Sequence, residues 1–188
     1  METIVKKLKH PRPRLYGNGR SRQVLDVNWF KRANWNEISH VVSIVDERPK
    51  ASYGYIDCVG VAAVGTDKKT GKNISLLSHQ SPRVLTDKKG QGFERDLTAG
   101  LKDLKERSKP GTVEVSIIGG QERKKWETDN AYPRLAAQVH TITKSITGRK
   151  ARVVVPPSGV DMEPQHAVLD TKRNRLHIFV GKWAYPPL

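Results

Sequence analysis

Two stretches of the chain read as helices covered on one side only, and that requirement constrains everything around them. In residues 92–107, Phe93, Leu97, Leu101 and Leu104 recur at spacings of four, four and three, opposite a face of Lys, Glu and Asp. In residues 130–147, Leu135, Val139, Ile142 and Ile146 repeat the pattern, with Asp129 or Asn130 as N-cap, Pro133 in the first turn and Gly148 as the stop. A helix with a single apolar stripe must lie on another layer, and most of the remaining chain offers strands. "VLDVNWF" (24–30), "HVVSIV" (40–45), "TVEVSII" (112–118), "ARVVV" (151–155), "HAVLD" (166–170) and "RLHIFV" (175–180) are short β-preferring runs bounded by turn residues. Together with the hairpin described below they predict an α+β fold, a layered β-sandwich or mixed sheet with two one-sided helices.

The length of 188 residues suits one domain plus a tail. Residues 1–22 hold seven Lys or Arg against one acid and predict a flexible basic N-terminal arm, leaving residues 23–188 as a single α+β domain of catalytic type. The net charge of +15 points to an acidic or polyanionic partner, because such a field concentrates negative ligands and speeds encounter. No stretch approaches the roughly 18–20 apolar residues of a membrane-spanning helix, and residues 1–8 lack a signal-peptide core. The expected location is therefore a cytosol, the cell's own or that of a host reached without a cleavable signal. A lone Cys excludes an internal disulfide.

That cysteine, Cys58, begins "CVGVAAVGT", which is followed by the polar turn "DKKT" and by "GKNISLLSH", ending on His79. A hairpin symmetric about Lys68 and Lys69 sets Thr66 opposite Gly71 and carries Cys58 opposite His79. Directly opposed residues have β-carbons about 4.5–5.5 Å apart on one face. There an imidazole can favour the thiolate of a cysteine, whose unperturbed pKa is about 8.5. This makes Cys58 a candidate nucleophile and His79 its base. The same two residues also fit a structural reading, a small buried hydrophobe and a satisfied polar strand end. One Cys and one His are half a zinc site, and no second pair has ligand spacing, so no metal and no dissociable cofactor is expected.

The stretch "SYGYIDCVGVAAVGTDKKTGKNISLLSH" resembles the signature of the chemoreceptor glutamine deamidases: a Thr, a Gly three residues before a Cys, an apolar strand and a His on the returning strand. Ser52 stands at the Thr position, with Gly54 two residues beyond it. The likeness runs on through the first helix, "VSIIGG", the second helix, a strand and a terminal hairpin, over about residues 40–181. The catalytic domains of the cytotoxic necrotizing factor toxins and related bacterial effectors share this core. The resemblance implies hydrolysis of a glutamine carboxamide on an acidic partner protein, with Cys58 and His79 as the dyad and Ser52 orienting the imidazole. It also implies backbone N–H groups near Cys58 as oxyanion donors, and Gly54, Tyr55 and Asp57 as the substrate-binding turn. Two other readings remain open: a nucleic-acid-binding module gripping phosphates through the basic arm, and a non-catalytic binding scaffold on the deamidase fold. Oligomeric state, target glutamine and a chemotaxis or effector role are not legible in the residues.

Overall fold

The computed structural model describes residues 1–7, 42–55, 58–81, 91–119, 131–154 and 165–180. These contain β1 (Glu2–Lys7), β2 (Lys50–Tyr55), β3 (Val59–Thr66), β4 (Asn73–Leu77), α1 (Gln91–Arg107), β5 (Glu114–Gly119), α2 (Ala131–Thr147), β6 (Arg152–Val154), β7 (Gln165–Asp170) and β8 (Arg175–Val180). The fold is α+β, with two mixed four-stranded sheets ordered β1-β8-β7-β2 and β4-β3-β5-β6.

Alternation along β3 explains how the layers stack. Val59, Val61 and Ala63 join Leu97, Leu101 and Leu104 of α1 and Leu135 and Val139 of α2 in one apolar cluster. Cys58, Ala62 and Val64 face the other way, into a second cluster with Ala167 and Leu169 of β7 and Leu176 and Ile178 of β8. Because successive strand residues point to opposite faces, a strand apolar on both can sit between a helix layer and a second sheet. The order is therefore helices, then the β4-β3-β5-β6 sheet, then the β1-β8-β7-β2 sheet. Both helices span the expected residues, and Gly148, at a φ of 71°, ends α2 with its N–H on the Lys144 carbonyl.

Three expectations are corrected. The N-terminal stretch expected to be an arm throughout begins with a strand, since β1 pairs in parallel with β8 from Glu2↔Arg175 to Lys7↔Val180. The β-preferring run Thr3-Ile4-Val5 carries it despite the flanking charge. The segment 42–46 makes only isolated bridges, at Asp46↔Ser75 in β4 and at Val42↔Ser78 just beyond it. There Ser43 Oγ, in place of a ladder carbonyl, accepts the N–H of Leu77 at 2.9 Å.

The third correction is the hairpin register. Thr66 pairs with Asn73, and the last backbone pair before the turn is Asp67 with Lys72. The Asp67 carboxylate accepts the N–H groups of Lys69 and Thr70 at 2.8 and 2.9 Å, and Gly71 at a φ of 72° closes the loop. The turn is thus centred one residue later than its composition suggests, and every pairing shifts by two. The expected strand at 24–30, the α2 N-cap and Asp57 lie outside the described residues.

Candidate active site

Cys58 enters β3 at the end of the sheet where β5 finishes, beside the residues that follow β4. The pair Val59↔Gln80 holds two backbone hydrogen bonds of 2.8 Å, so His79 lies beside Gly60 and continuing the register carries Cys58 to Ser81. Cys58 and His79 are therefore diagonal neighbours, at the roughly 7–8 Å spacing of such positions, and not a directly opposed pair. A shift of two keeps the face, so both remain on the side turned toward the second sheet.

From that second sheet Ser52 reaches across. Its Oγ and His79 Nδ1 form a hydrogen bond of 2.8 Å, with Ser52 fully buried and His79 3% exposed. Ser52 pairs with Ala167 in the ladder, and a bulge follows, because Tyr53 faces His166 while Tyr55 already faces Gln165. Gly54 is the extra residue. A bulge of one residue reverses the alternation, so Tyr55 points to the same inner face as Ser52. Its ring stacks on His79, with centroids 3.9 Å apart and planes at 15°. Its hydroxyl donates to the Ser78 carbonyl at 2.8 Å, and the Ser78 Oγ in turn accepts the N–H of Val61 at 2.9 Å.

Tyr55, expected as a substrate contact, is thus wholly buried and acts on the imidazole. Burial pushes its phenol well above the usual range; the hydrogen bond with Ser52 pulls the other way, and negative charge on Cys58 adds to the rise. The phenol stays protonated and keeps its donor on Ser78.

Two glycines make the packing possible. A β-carbon on Gly60 would come within 2.6 Å of Tyr55 Cε1, so glycine there leaves room for the ring beside His79. Gly119, at a φ of 94°, presses against the Cys58 carbonyl oxygen where β5 ends, in a backbone conformation that side chains disfavour.

The structure therefore brings Cys58, His79, Ser52 and Tyr55 to one end of the inter-sheet layer. Cys58 itself is 6% exposed. Of the expected oxyanion donors, the Val59 N–H is already given to the Gln80 carbonyl. A residue the sequence did not point to is Gln165, at the first position of β7, opposite Tyr55. It shares its face with Ala167 and Leu169, is fully buried, and neither its Oε1 nor its Nε2 finds a hydrogen-bond partner among the described residues. An unmet buried carboxamide costs about 1–3 kcal/mol, so its retention at this end is a feature that function can explain. Among the described residues no three His, Cys, Asp or Glu side chains gather as metal ligands, and no helix is long and apolar enough to cross a membrane.

No family model matches the chain, and no curated protein sequence matches it.

Proposed function

We propose that the chain is a cysteine-dependent glutamine deamidase acting on a partner protein, in line with its resemblance to the chemoreceptor glutamine deamidases. The observation that carries this reading is the 2.8 Å hydrogen bond between Ser52 and His79, formed across two sheets by residues 27 apart in sequence. A buried imidazole held at Nδ1 by a hydroxyl, and clamped on one face by an aromatic ring, presents its other nitrogen in a fixed direction. Its diagonal neighbour on the same face is the only thiol of the chain.

In this reading Cys58 Sγ attacks the carboxamide carbon of the substrate glutamine and its proton passes to His79. The tetrahedral intermediate collapses to a thioester as His79 returns the proton to the departing nitrogen, and ammonia leaves. Water, deprotonated by His79, then cleaves the thioester, giving glutamate and the free thiol. Gln165 Nε2 is the donor available to the oxyanion from the facing sheet, since the Val59 amide is committed to the ladder. The positive charge of the chain favours an acidic protein as substrate.

The burial of Cys58 favours a second reading, a binding scaffold with a core thiol. One experiment separates them. Cys58→Ser is nearly isosteric and should leave thermal unfolding unchanged while abolishing ammonia release from acidic candidate proteins, along with the one-dalton gain at the target glutamine. Ammonia release that survives in Cys58→Ser, or is absent from the wild type across such a panel, would sink the enzyme.

A further inference from the structure

The end of the molecule opposite this site has a different chemistry. Strand direction places the β3–β4 turn, the C-termini of α1 and α2, and the β7–β8 turn together there, and hydrogen bonds tie them. Lys68 N–H donates to the Arg107 carbonyl at 2.8 Å and Lys109 N–H to that of Thr66 at 2.7 Å, fastening the end of α1 to the β3–β4 turn. Asn73 Nδ2 reaches the Lys172 carbonyl at 3.3 Å, joining that turn to the one between β7 and β8. Lys105 Nζ donates to the Ile146 carbonyl at 2.6 Å, linking the two helix ends, and a β-carbon on Gly111 would stand 3.8 Å from the Arg149 guanidinium.

The carboxylates of this end are largely engaged. Asp46 holds Arg48 and Lys50, Glu47 holds Lys72, Asp67 and Asp103 hold Arg107, and Asp170 holds Arg173. Glu2 holds Arg175, Glu114 holds the amino group of Met1, and Glu106 stands on the last turn of α1. Against these, the side chains of Lys68, Lys69, Lys109, Arg149, Lys150 and Lys172 are all exposed and make no ion pair among the described residues. The backbones of Lys68, Lys109 and Lys172 are pinned by the hydrogen bonds above and that of Lys69 by the Asp67 carboxylate, so these cations start from fixed positions and no ion pair must be broken to use them.

We propose that this end binds the phosphate backbone of a nucleic acid, independently of the Cys58 site. The cations come from four separate chain segments and spread across one end of the fold, which suits a repeating line of phosphates better than a single anion in a pocket. They are mostly lysines, which act as point charges toward phosphate. Binding of this kind carries no sequence preference and releases counterions.

The experiment measures the anisotropy of a labelled DNA duplex of arbitrary sequence, titrated with the full chain at several salt concentrations. If all six cations contact phosphates, log K falls against log salt with a slope of about −5 from this end alone. The variant Lys68→Gln/Lys69→Gln/Lys109→Gln should lose about 3 of that slope. Two charge-matched comparators, Arg95→Gln/Lys102→Gln/Arg134→Gln on the helices and Arg12→Gln/Arg14→Gln/Arg20→Gln near the N-terminus, should lose much less. Cys58→Ser should bind as the wild type does, whatever becomes of the enzymatic reading. Equal losses in all three triple variants, a loss confined to either comparator, or no duplex binding by the wild type at low salt would overturn the proposal. So would tighter binding to a polyglutamate peptide than to the duplex, which would assign the surface to an acidic protein.

Discussion

Replacing Ser52 by Ala separates an activated thiol from a core thiol by the sign of one rate. Ser52 is fully buried, and its single hydroxyl holds His79 Nδ1 at 2.8 Å. Removing it leaves a ring nitrogen with one partner fewer in a site 3% open to solvent, a loss of about 1–3 kcal/mol. If Cys58 is an ordinary core residue, alkylation requires local opening. That destabilisation then raises the open population, and with it the labelling rate, by about 5- to 150-fold. If His79 activates Cys58, the loosened imidazole no longer favours the thiolate, and labelling at neutral pH slows instead.

Ser75→Ala is the matched control. Ser75 is also fully buried on β4, and its Oγ bonds Thr171 Oγ1 at 2.6 Å toward the other end of the hairpin. Urea unfolding should show comparable losses in the two variants, while iodoacetamide labelling should slow only in Ser52→Ala. Acceleration of labelling in both, in proportion to the stability each loses, would refute the reasoning and return Cys58 to the core.

Two further outcomes follow from the same packing. Gln165→Met replaces a carboxamide with no partner among the described residues by an apolar side chain of similar length; it should raise stability by about 1–3 kcal/mol in urea unfolding while lowering ammonia release, and a stability loss would show that the amide is satisfied in the folded protein. Gly60→Ala puts a β-carbon against the Ser78 carbonyl oxygen as well as 2.6 Å from Tyr55 Cε1 and should cost about 1–3 kcal/mol, of which a Tyr55→Leu background relieves only the part due to the ring; strictly additive costs in that double-mutant cycle would mean that the backbone contact alone demands the glycine.

The helices were legible because their stripes run over four turns, and their apolar residues are the ones that pack on β3 and β5. The terminal hairpin and the strands around Val115 and Val153 were legible as short β-preferring runs bounded by turn residues. What the residues hid were single-position events. The one mark of a bulge in "ASYGY" is its glycine, which does not by itself say whether an extra residue is inserted, yet that extra residue at Gly54 decides whether Tyr55 faces out toward a ligand or in against His79. Gln165 precedes the apolar run and reads as a strand boundary; only pairing with Tyr55 reveals it as an inward position. The strand at Glu2–Lys7 was masked by the lysines around it, since its pairing with β8 is a contact across the whole chain that no local pattern encodes.

The hairpin shows why a wrong register can still name the right residues. Composition centres the turn on Lys68 and Lys69, but the Asp67 carboxylate captures two N–H groups and moves the centre one position on, which shifts the facing residue by two. An odd shift would have turned His79 toward the helices, away from Ser52 and Tyr55. An even one preserves the face and lengthens only the separation along the strand. With Gly60 opposite His79, no side chain of β3 stands in the directly opposed position, and the Tyr55 ring takes that space. The relation between Cys58 and His79 is then a diagonal across a glycine, with the imidazole anchored from the second sheet. For such a pair the facing strand governs the geometry as much as the hairpin does, which is why Ser52 and Tyr55 are the residues whose alteration should change the thiol most.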